Sequence, residues 1–404
     1  MKPMRLTKFE ATMLVAGAGL GTGILTLPYA ISKIGVFGTL AAALFAYASS
    51  LIIYYMIADL ALHSHNGQLL EILQEHLFKG KYKKLLTDIF FFVLAAILLE
   101  NLVVYILCAA DVMTDLFGID MRVSKIIFYV FASAVVFLGI RAIGQGEKTG
   151  MFFTAGAVFL LLFLSLFHIK NTPDFSFGRP ALVLAVYGLF MFAFSAIFSI
   201  VQVCGYIEDK TAVKTVVRNG LLINMILTLI FGMVTVLASD EVTGIATIGL
   251  SNSLPYYFVK VVCSVFVIVS MLTSYWSIGL AFVDVIREYL GTGQRISWLL
   301  STVPTLIVVL ILPLSVTEYI QLIAGGLSVM LGLLVIPAYR AASETRILKS
   351  CSPAKGRTRW SIVKEPRVLF FIFIQSSTGR SRAPHGRAFR GFIAYGNASR
   401  HYNP

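Results

Sequence analysis

The first long apolar segment of this chain is interrupted by glycines and a proline. Gly17, Gly19, Gly21 and Gly23 occur at alternate positions, and Pro28 follows in the same segment. Each glycine disfavours a helix by about 1 kcal/mol relative to alanine, and proline does so by about 3 kcal/mol. Inside hydrocarbon, unpaired backbone groups are tolerated only where they line protein or a cavity that contains water. The pattern therefore predicts a discontinuous helix whose free peptide groups bind a solute near the membrane midplane.

Composition places the chain in a lipid bilayer and removes nucleic acid as a partner. The 404 residues are 58% hydrophobic and 13% charged, whereas soluble domains carry about 25% charged residues. The net charge of +13 is concentrated at one end, because residues 340–404 hold 13 Lys and Arg against 2 acidic residues. We therefore predict a transmembrane domain over residues 1–340, followed by a basic, disordered cytoplasmic tail over residues 341–404.

Ten segments have the roughly 20 apolar residues that a spanning helix needs. They lie near 11–34, 36–58, 86–116, 123–143, 149–169, 181–206, 218–239, 255–286, 297–315 and 317–339. The first five and the last five form blocks of similar length, 11–169 and 181–339. Because five is odd, the second block enters the membrane from the opposite side, which predicts an all-α, 5+5 inverted repeat with helices 1 and 6 interrupted. The sixth segment supports its interruption weakly, since residues 187–200 contain one glycine and no proline.

The distribution of positive charge predicts the orientation. With the N-terminus inside, the cytoplasmic segments carry fourteen Lys and Arg before the tail, against five in the external loops. Positive charge is retained on the cytoplasmic side. Both termini are therefore expected in the cytoplasm, in a multi-pass protein of a bacterial plasma membrane.

Four cysteines are spread singly through the chain, which suggests neither a disulfide framework nor a metal site. The sequence contains no nucleotide-phosphate loop and no plausible catalytic triad. We therefore expect no enzyme activity, no catalytic residue, no bound metal and no cofactor.

Two motifs of the first span resemble those of known amino acid permeases. They are Gly21-Thr22-Gly23-Ile24-Leu25 and Leu27-Pro28-Tyr29-Ala30. Together with the ten-span plan, they resemble the amino acid/auxin permease family and the bacterial aromatic amino acid permeases. Both groups belong to the amino acid–polyamine–organocation superfamily, which has the leucine-transporter (LeuT) fold. The resemblance implies a secondary active amino acid transporter. Members of these families commonly have an eleventh span, and only the basic tail is expected at that place here.

The resemblance implies that the backbone of the first interruption binds the substrate carboxylate, with a hydrogen bond from the Thr22 hydroxyl. The residues concerned are Ala18, Gly19, Gly21, Thr22 and Gly23. A half-helix N-terminus provides an anion site of this kind without a charged side chain. The alternative is close helix packing, which small residues at four-residue spacing also favour.

The substrate side chain is then expected to face span six, at Phe190, Phe192, Phe194, Ser195 and Ser199. These aromatic residues favour an apolar or aromatic amino acid. Phenylalanine is abundant throughout the chain, so an ordinary core or lipid-facing role is the alternative.

Two sets of polar residues are candidates for ion coupling. Glu100 lies near the middle of span three, where desolvation disfavours its charged form, so it is a candidate proton carrier. The alternative is a protonated or hydrogen-bonded structural glutamic acid that is satisfied by Asn101 or by a facing helix. Ser270, Thr273 and Ser274 share one face of span eight, where sodium-coupled relatives hold their ion, but such hydroxyls also bond to their own helix.

Proton-coupled symport by alternating access is thus the leading hypothesis, with sodium symport as an alternative. A sensor that keeps the permease fold without transporting is a second alternative, because subunits of spore germinant receptors belong to the same superfamily.

Overall fold

The computed structural model describes residues 5–20, 22–64, 69–76, 81–242, 246–254, 257–311 and 337–340. These residues are helical apart from their turns, loops and one isolated bridge between Leu6 and Ile207. Most of the tenth predicted span and the whole predicted tail lie outside these ranges.

Thirteen α-helices occur in the described part of the chain. The first half contains α1 (Lys8–Ala18), α2 (Thr22–Ile31), α3 (Gly35–His63), α4 (Leu69–His76), α5 (Lys83–Phe117), α6 (Met121–Leu138) and α7 (Ile140–Leu166). The second half contains α8 (Pro180–Ala193), α9 (Ile197–Tyr206), α10 (Val213–Ala238), α11 (Ala246–Ser253), α12 (Tyr257–Leu290) and α13 (Gln294–Ile311).

Eight segments of the described chain are long and apolar enough to cross a membrane, with α8 and α9 counted as one segment. The pair α1 and α2 occupies the first predicted span, and each half is too short to cross alone. Large apolar side chains such as Phe45, Phe92 and Phe131 are exposed on the outside of the bundle. An apolar exterior of this kind is what contact with lipid requires.

The boundary between the fourth and fifth predicted spans differs from expectation. The polar stretch 144–148 was expected to be a loop, but α7 begins at Ile140 and runs through it. The turn lies instead at Gly139, whose φ of +84° suits glycine. Glycines in and just after this stretch allow close helix packing. A Cβ at Gly146 would lie 2.6 Å from the Trp276 ring, and one at Gly150 would lie 2.4 Å from the Thr273 methyl.

The start of α1 is defined by a capping box. The Thr7 hydroxyl accepts a hydrogen bond from the Glu10 amide, and the Thr7 amide donates to the Glu10 carboxylate. This reciprocal pair satisfies two amides that would otherwise lack partners. From this start, α1 enters the centre of the bundle, where it packs against α7, α10 and α12.

Candidate functional site

The first span is interrupted where the glycines predict. The helix α1 ends at Ala18 and α2 begins at Thr22. Between them, the Leu20 amide donates to the Gly17 carbonyl at 3.0 Å, which turns the chain out of the regular helical pattern. Ala18, Gly19 and Gly23 are buried. Gly21 and the side chain of Thr22, which the sequence also places in the site, lie outside the described part of the structure.

The sixth span is interrupted as well, as the inverted repeat requires. The helix α8 ends at Ala193 and α9 begins at Ile197. The Tyr54 hydroxyl of α3 bridges the gap, because it donates to the Phe194 carbonyl and accepts from the Ala196 amide at 3.0 Å. One side chain thus satisfies two backbone groups that the broken helix leaves without helical partners.

The two interruptions lie directly against each other. A Cβ at Gly19 would lie 2.1 Å from the Ala193 carbonyl oxygen, and one at Gly23 would lie 2.6 Å from the Ala193 Cα. The side-chain amide of Asn224 on α10 joins them, since its Nδ2 lies 3.1 Å from the Ala16 carbonyl oxygen and 3.3 Å from that of Ala193. The chain therefore needs glycine at positions 19 and 23, and Asn224 holds the two broken spans together.

The residues predicted for span six lie in and next to its interruption. The rings of Phe190 and Phe194 are fully buried, with centroids 5.6 Å apart. Phe192 and Ser195 are half-buried. The Ser199 hydroxyl, in the first turn of α9, is buried without a hydrogen-bond partner among the described residues.

The predicted hydroxyl face of span eight is buried in α12. Ser270 and Ser274 have buried hydroxyls without hydrogen-bond partners in the described part of the chain. The Thr273 hydroxyl donates to the Ser270 carbonyl at 3.1 Å, as a structural hydroxyl does.

Glu147 is a buried carboxylate that the sequence analysis did not identify. It lies on α7 with no solvent exposure, and its Oε1 accepts a hydrogen bond of 2.6 Å from the Ser277 hydroxyl of α12. Its Oε2 has no hydrogen-bond partner among the described residues. That oxygen faces α1, because a Cβ at Gly17 would lie only 2.3 Å from it.

Glu100 has different surroundings on α5. Its side chain is half-buried. The described residues provide it with no hydrogen bond or ion pair. The neighbouring Asn101 donates instead to the Ile97 carbonyl at 2.8 Å, so it does not satisfy Glu100.

The segment before α1 is attached to the segment after α9. The Leu6 amide donates to the Tyr206 carbonyl at 2.8 Å, and the Glu208 amide donates to the Leu6 carbonyl at 3.1 Å. Lys8 and Asp209 form an ion pair beside these bonds. Hydrogen bonds from Thr211 and Lys8 lower the pKa of Asp209 to about 2. The N-terminal end of α1 and the C-terminal end of α9 are therefore held together on one side of the bundle.

Residues 4–356 match the model of the tryptophan/tyrosine permease family. A curated relative, "Glutamine transporter 2" of Aliivibrio fischeri, is 21% identical over 311 residues, which cover 73% of this chain and 79% of that protein.

Solved structures of two transporters share the fold. Mhp1, a nucleobase-cation-symport-1 family transporter in a closed conformation with bromovinylhydantoin bound, has a TM-score of 0.66 at 13% identity. That likeness covers 82% of this chain and 79% of Mhp1. MhsT in complex with L-phenylalanine has a TM-score of 0.65 at 12% identity, covering 93% of this chain and 97% of MhsT. The expected LeuT-like fold is confirmed.

Proposed function

Because the chain belongs to the tryptophan/tyrosine permease family, we propose that it is a secondary active amino acid symporter that works by alternating access. The family and the transporter relatives establish a membrane transporter of amino acids or related substrates, and not an enzyme. The finer expectations of the sequence, namely the aromatic branch of the permeases, the coupling ion and the bacterial plasma membrane, belong to the proposal.

The observation that carries the proposal is the junction of two broken helices through Asn224. The helices α2 and α9 both begin at the junction. The N-terminus of a helix carries a partial positive charge and free amides, both of which favour a carboxylate. The backbone of the first interruption, from Ala18 to Gly23, is therefore proposed to bind the carboxylate of an amino acid.

The walls of the junction favour an apolar or aromatic substrate side chain. Phe190 and Phe194 provide buried rings, and Ser199 provides a hydroxyl that is available for a hydrogen bond. Substrate pockets commonly combine aromatic walls with a few placed polar groups. The relatives suggest two substrates to include in the test. These are glutamine, named for the Aliivibrio fischeri transporter, and phenylalanine, which is bound by MhsT.

Protons are the proposed coupling ion. The body of the protein contains intramembrane carboxylic acids, the sequence-predicted Glu100 among them, that can carry a proton through the transport cycle. Sodium symport is the runner-up, and it would use the buried hydroxyls of Ser270 and Ser274 together with Thr273.

Uptake by the full chain in proteoliposomes tests the proposal directly. Labelled L-tryptophan, L-tyrosine, L-phenylalanine and L-glutamine are offered under an imposed pH gradient, a sodium gradient or neither. We expect accumulation of at least one apolar or aromatic amino acid under the pH gradient alone. Accumulation that follows only the sodium gradient would replace the proton by sodium, and saturable binding without any flux would identify a sensor instead.

A further inference from the structure

We propose that Glu147 is the residue that binds the coupling proton and that its contact with α1 links protonation to the opening of the site. The inference rests on the proposed proton symport and assigns its proton to one carboxyl group. Glu147 lies on α7, within the stretch 144–148 that the sequence predicts to be a loop.

The surroundings of Glu147 leave one oxygen for the proton. Oε1 already accepts a hydrogen bond from Ser277, whereas Oε2 has no partner in the described part of the chain. A fully buried carboxylate with a single hydrogen bond is poorly compensated for its lost hydration. The proton therefore binds at Oε2, which converts the carboxylate into a neutral acid.

The position of Glu147 against α1 favours that neutral form further. Gly17 lies in the last turn of α1, and the absence of its side chain lets Oε2 approach the helix. The C-terminal end of a helix carries a partial negative charge, which repels a carboxylate. While α1 stays packed on α7 and α12, the acid is held neutral. When α1 moves away, water reaches Oε2 and the proton leaves.

Charged groups on the adjacent helices do not compensate Glu147. Salt bridges among the described residues do not include it. On α1, Lys8 pairs with Asp209 and Glu10 closes the capping box. On α12, Lys260, Asp284 and Arg287 form ion pairs, and Tyr289 bonds to Asp88. Tyr275 packs edge-on against Phe128 of α6, and Glu288 interacts with Glu71 of α4. Tyr257 is exposed, and Cys263 lies fourteen residues before Ser277.

The remaining cations and phenols near α7 also lie elsewhere. Lys148, the next residue, projects over the Phe9 ring, and Arg141 is exposed. On α6, Lys125 donates to the Val309 carbonyl and the Tyr129 hydroxyl to Thr302, while Arg122 is exposed. Lys214 and Arg218 lie in the first two turns of α10, ten and six residues before Asn224.

Glu147 also lies at the right depth for a proton carrier. It lies eight residues beyond the turn at Gly139, or about 12 Å along the axis of α7. Gly17 is nine residues into α1. The contact between Gly17 and Glu147 therefore lies between the N-terminal end of α1 and the interruption at Gly19. Movement of α1 that opens this end would therefore expose the carboxyl before the substrate site.

The test compares the full-length protein with Glu147→Gln in proteoliposomes of phosphatidylethanolamine and phosphatidylglycerol. Two measurements use the same labelled amino acids: accumulation under a pH gradient and counterflow exchange without one. We expect Glu147→Gln to lose accumulation above the external concentration and to keep counterflow. Glu241→Gln is the matched control, an exposed glutamate in the loop after α10, and it should keep both. Glu100→Gln is measured beside it, and loss of accumulation in Glu100→Gln with accumulation retained in Glu147→Gln would place the proton on Glu100 instead. Accumulation retained in Glu147→Gln overturns the assignment.

Two further variants keep the proposal falsifiable if Glu147→Gln fails to assemble. Glu147→Asp should restore gradient-driven uptake with a shifted pH profile, and an unchanged profile overturns the proposal. Gly17→Ala places a methyl against Oε2 and should weaken gradient-driven uptake more than counterflow. Wild-type protein that exchanges amino acids without accumulating them under a pH gradient would refute proton symport itself. Accumulation by Glu147→Gln under the same gradient would refute only the assignment of the proton to Glu147.

Discussion

Lys8 Nζ lies 2.9 Å from Asp209 Oδ2, so the first residue of α1 is paired with the segment that follows α9. Backbone hydrogen bonds of Leu6 accompany the pair. If the N-terminus is cytoplasmic, as the charge distribution predicts, these contacts close the cytoplasmic ends of both broken spans. They must then break before the site opens inward.

Asp209→Asn should therefore favour the inward-open state while changing stability only slightly. The side chains of Lys8 and Asp209 are 66% and 39% exposed, so water and salt screen the pair. We expect faster release of preloaded substrate in low salt, and a difference from wild type that shrinks in high salt. Lys8→Gln should give the same change, and the double variant should add nothing to it. Additive effects would show that the two residues act separately.

The same pair has a defined pH dependence. The pKa of Asp209 is lowered to about 2 by its bonds with Thr211 and Lys8, against about 3.9 in an unfolded chain. A lowered carboxyl pKa contributes stability above the unfolded value, and that stability is lost as the pH falls towards the folded value. The difference in melting temperature between wild type and Asp209→Asn should therefore be constant from about pH 5 to 8. It should decline only below about pH 4. A change near neutral pH would contradict this origin.

The first interruption was predictable because its cause is local. Glycines and Pro28 disfavour the helix within one stretch of sequence, and α1 does end at Ala18. The inverted repeat likewise follows from counting apolar segments. The interruption of span six was predictable only through that symmetry, because Tyr54 stabilises it from more than a hundred residues away.

Glu147 was missed for a related reason. The stretch Gly144-Gln145-Gly146-Glu147-Lys148 has the composition of a loop, and neither hydropathy nor spacing distinguishes it from one. In the structure its glycines are contact points for Leu6 and Trp276, so a polar helix segment fits inside the bundle. Such packing depends on tertiary contacts that a single sequence does not reveal.

Asn224 should be needed for both stability and transport. Its Nδ2 is the shared donor to the Ala16 and Ala193 carbonyls, and its Oδ1 accepts from Thr228. Asn224→Asp keeps the shape and the acceptor but removes the donor. We expect a loss of about 1–2 kcal/mol in stability, because two buried carbonyls lose their bond. The apparent affinity for substrate in counterflow should fall with it.

The neighbouring Asn219 provides the matched control for that variant. It lies on the same helix and is half-buried near the start of α10. Asn219→Asp should keep both stability and substrate affinity. Equal effects of the two substitutions would show that the junction is not specifically held by Asn224.

Gly19 should tolerate no side chain. A methyl at this position would meet the Ala193 carbonyl at 2.1 Å, and backbone cannot move aside as the end of a flexible side chain does. Gly19→Ala should destabilise the protein by about 1–3 kcal/mol, as overpacking does elsewhere, and abolish uptake. Gly156→Ala on α7 is the control, since a Cβ there meets nothing within 4 Å. Thermal unfolding in detergent and counterflow in liposomes measure both, and an active Gly19→Ala protein would disprove the close junction.

Tyr54→Phe should act on the second interruption alone. The change removes one hydroxyl, and with it the bonds to the Phe194 carbonyl and the Ala196 amide. Because those groups lie between α8 and α9, they have no helical partner to replace the hydroxyl. We expect a loss of about 1–2 kcal/mol in stability and a larger proportional fall in substrate affinity, since the site itself is rearranged.

Tyr55→Phe, one residue further along α3, removes a half-buried hydroxyl that has no such bonds and should leave binding unchanged. Calorimetric titration with L-phenylalanine and L-tryptophan separates the two variants. Equal affinities in both would show that Tyr54 supports the fold without shaping the site.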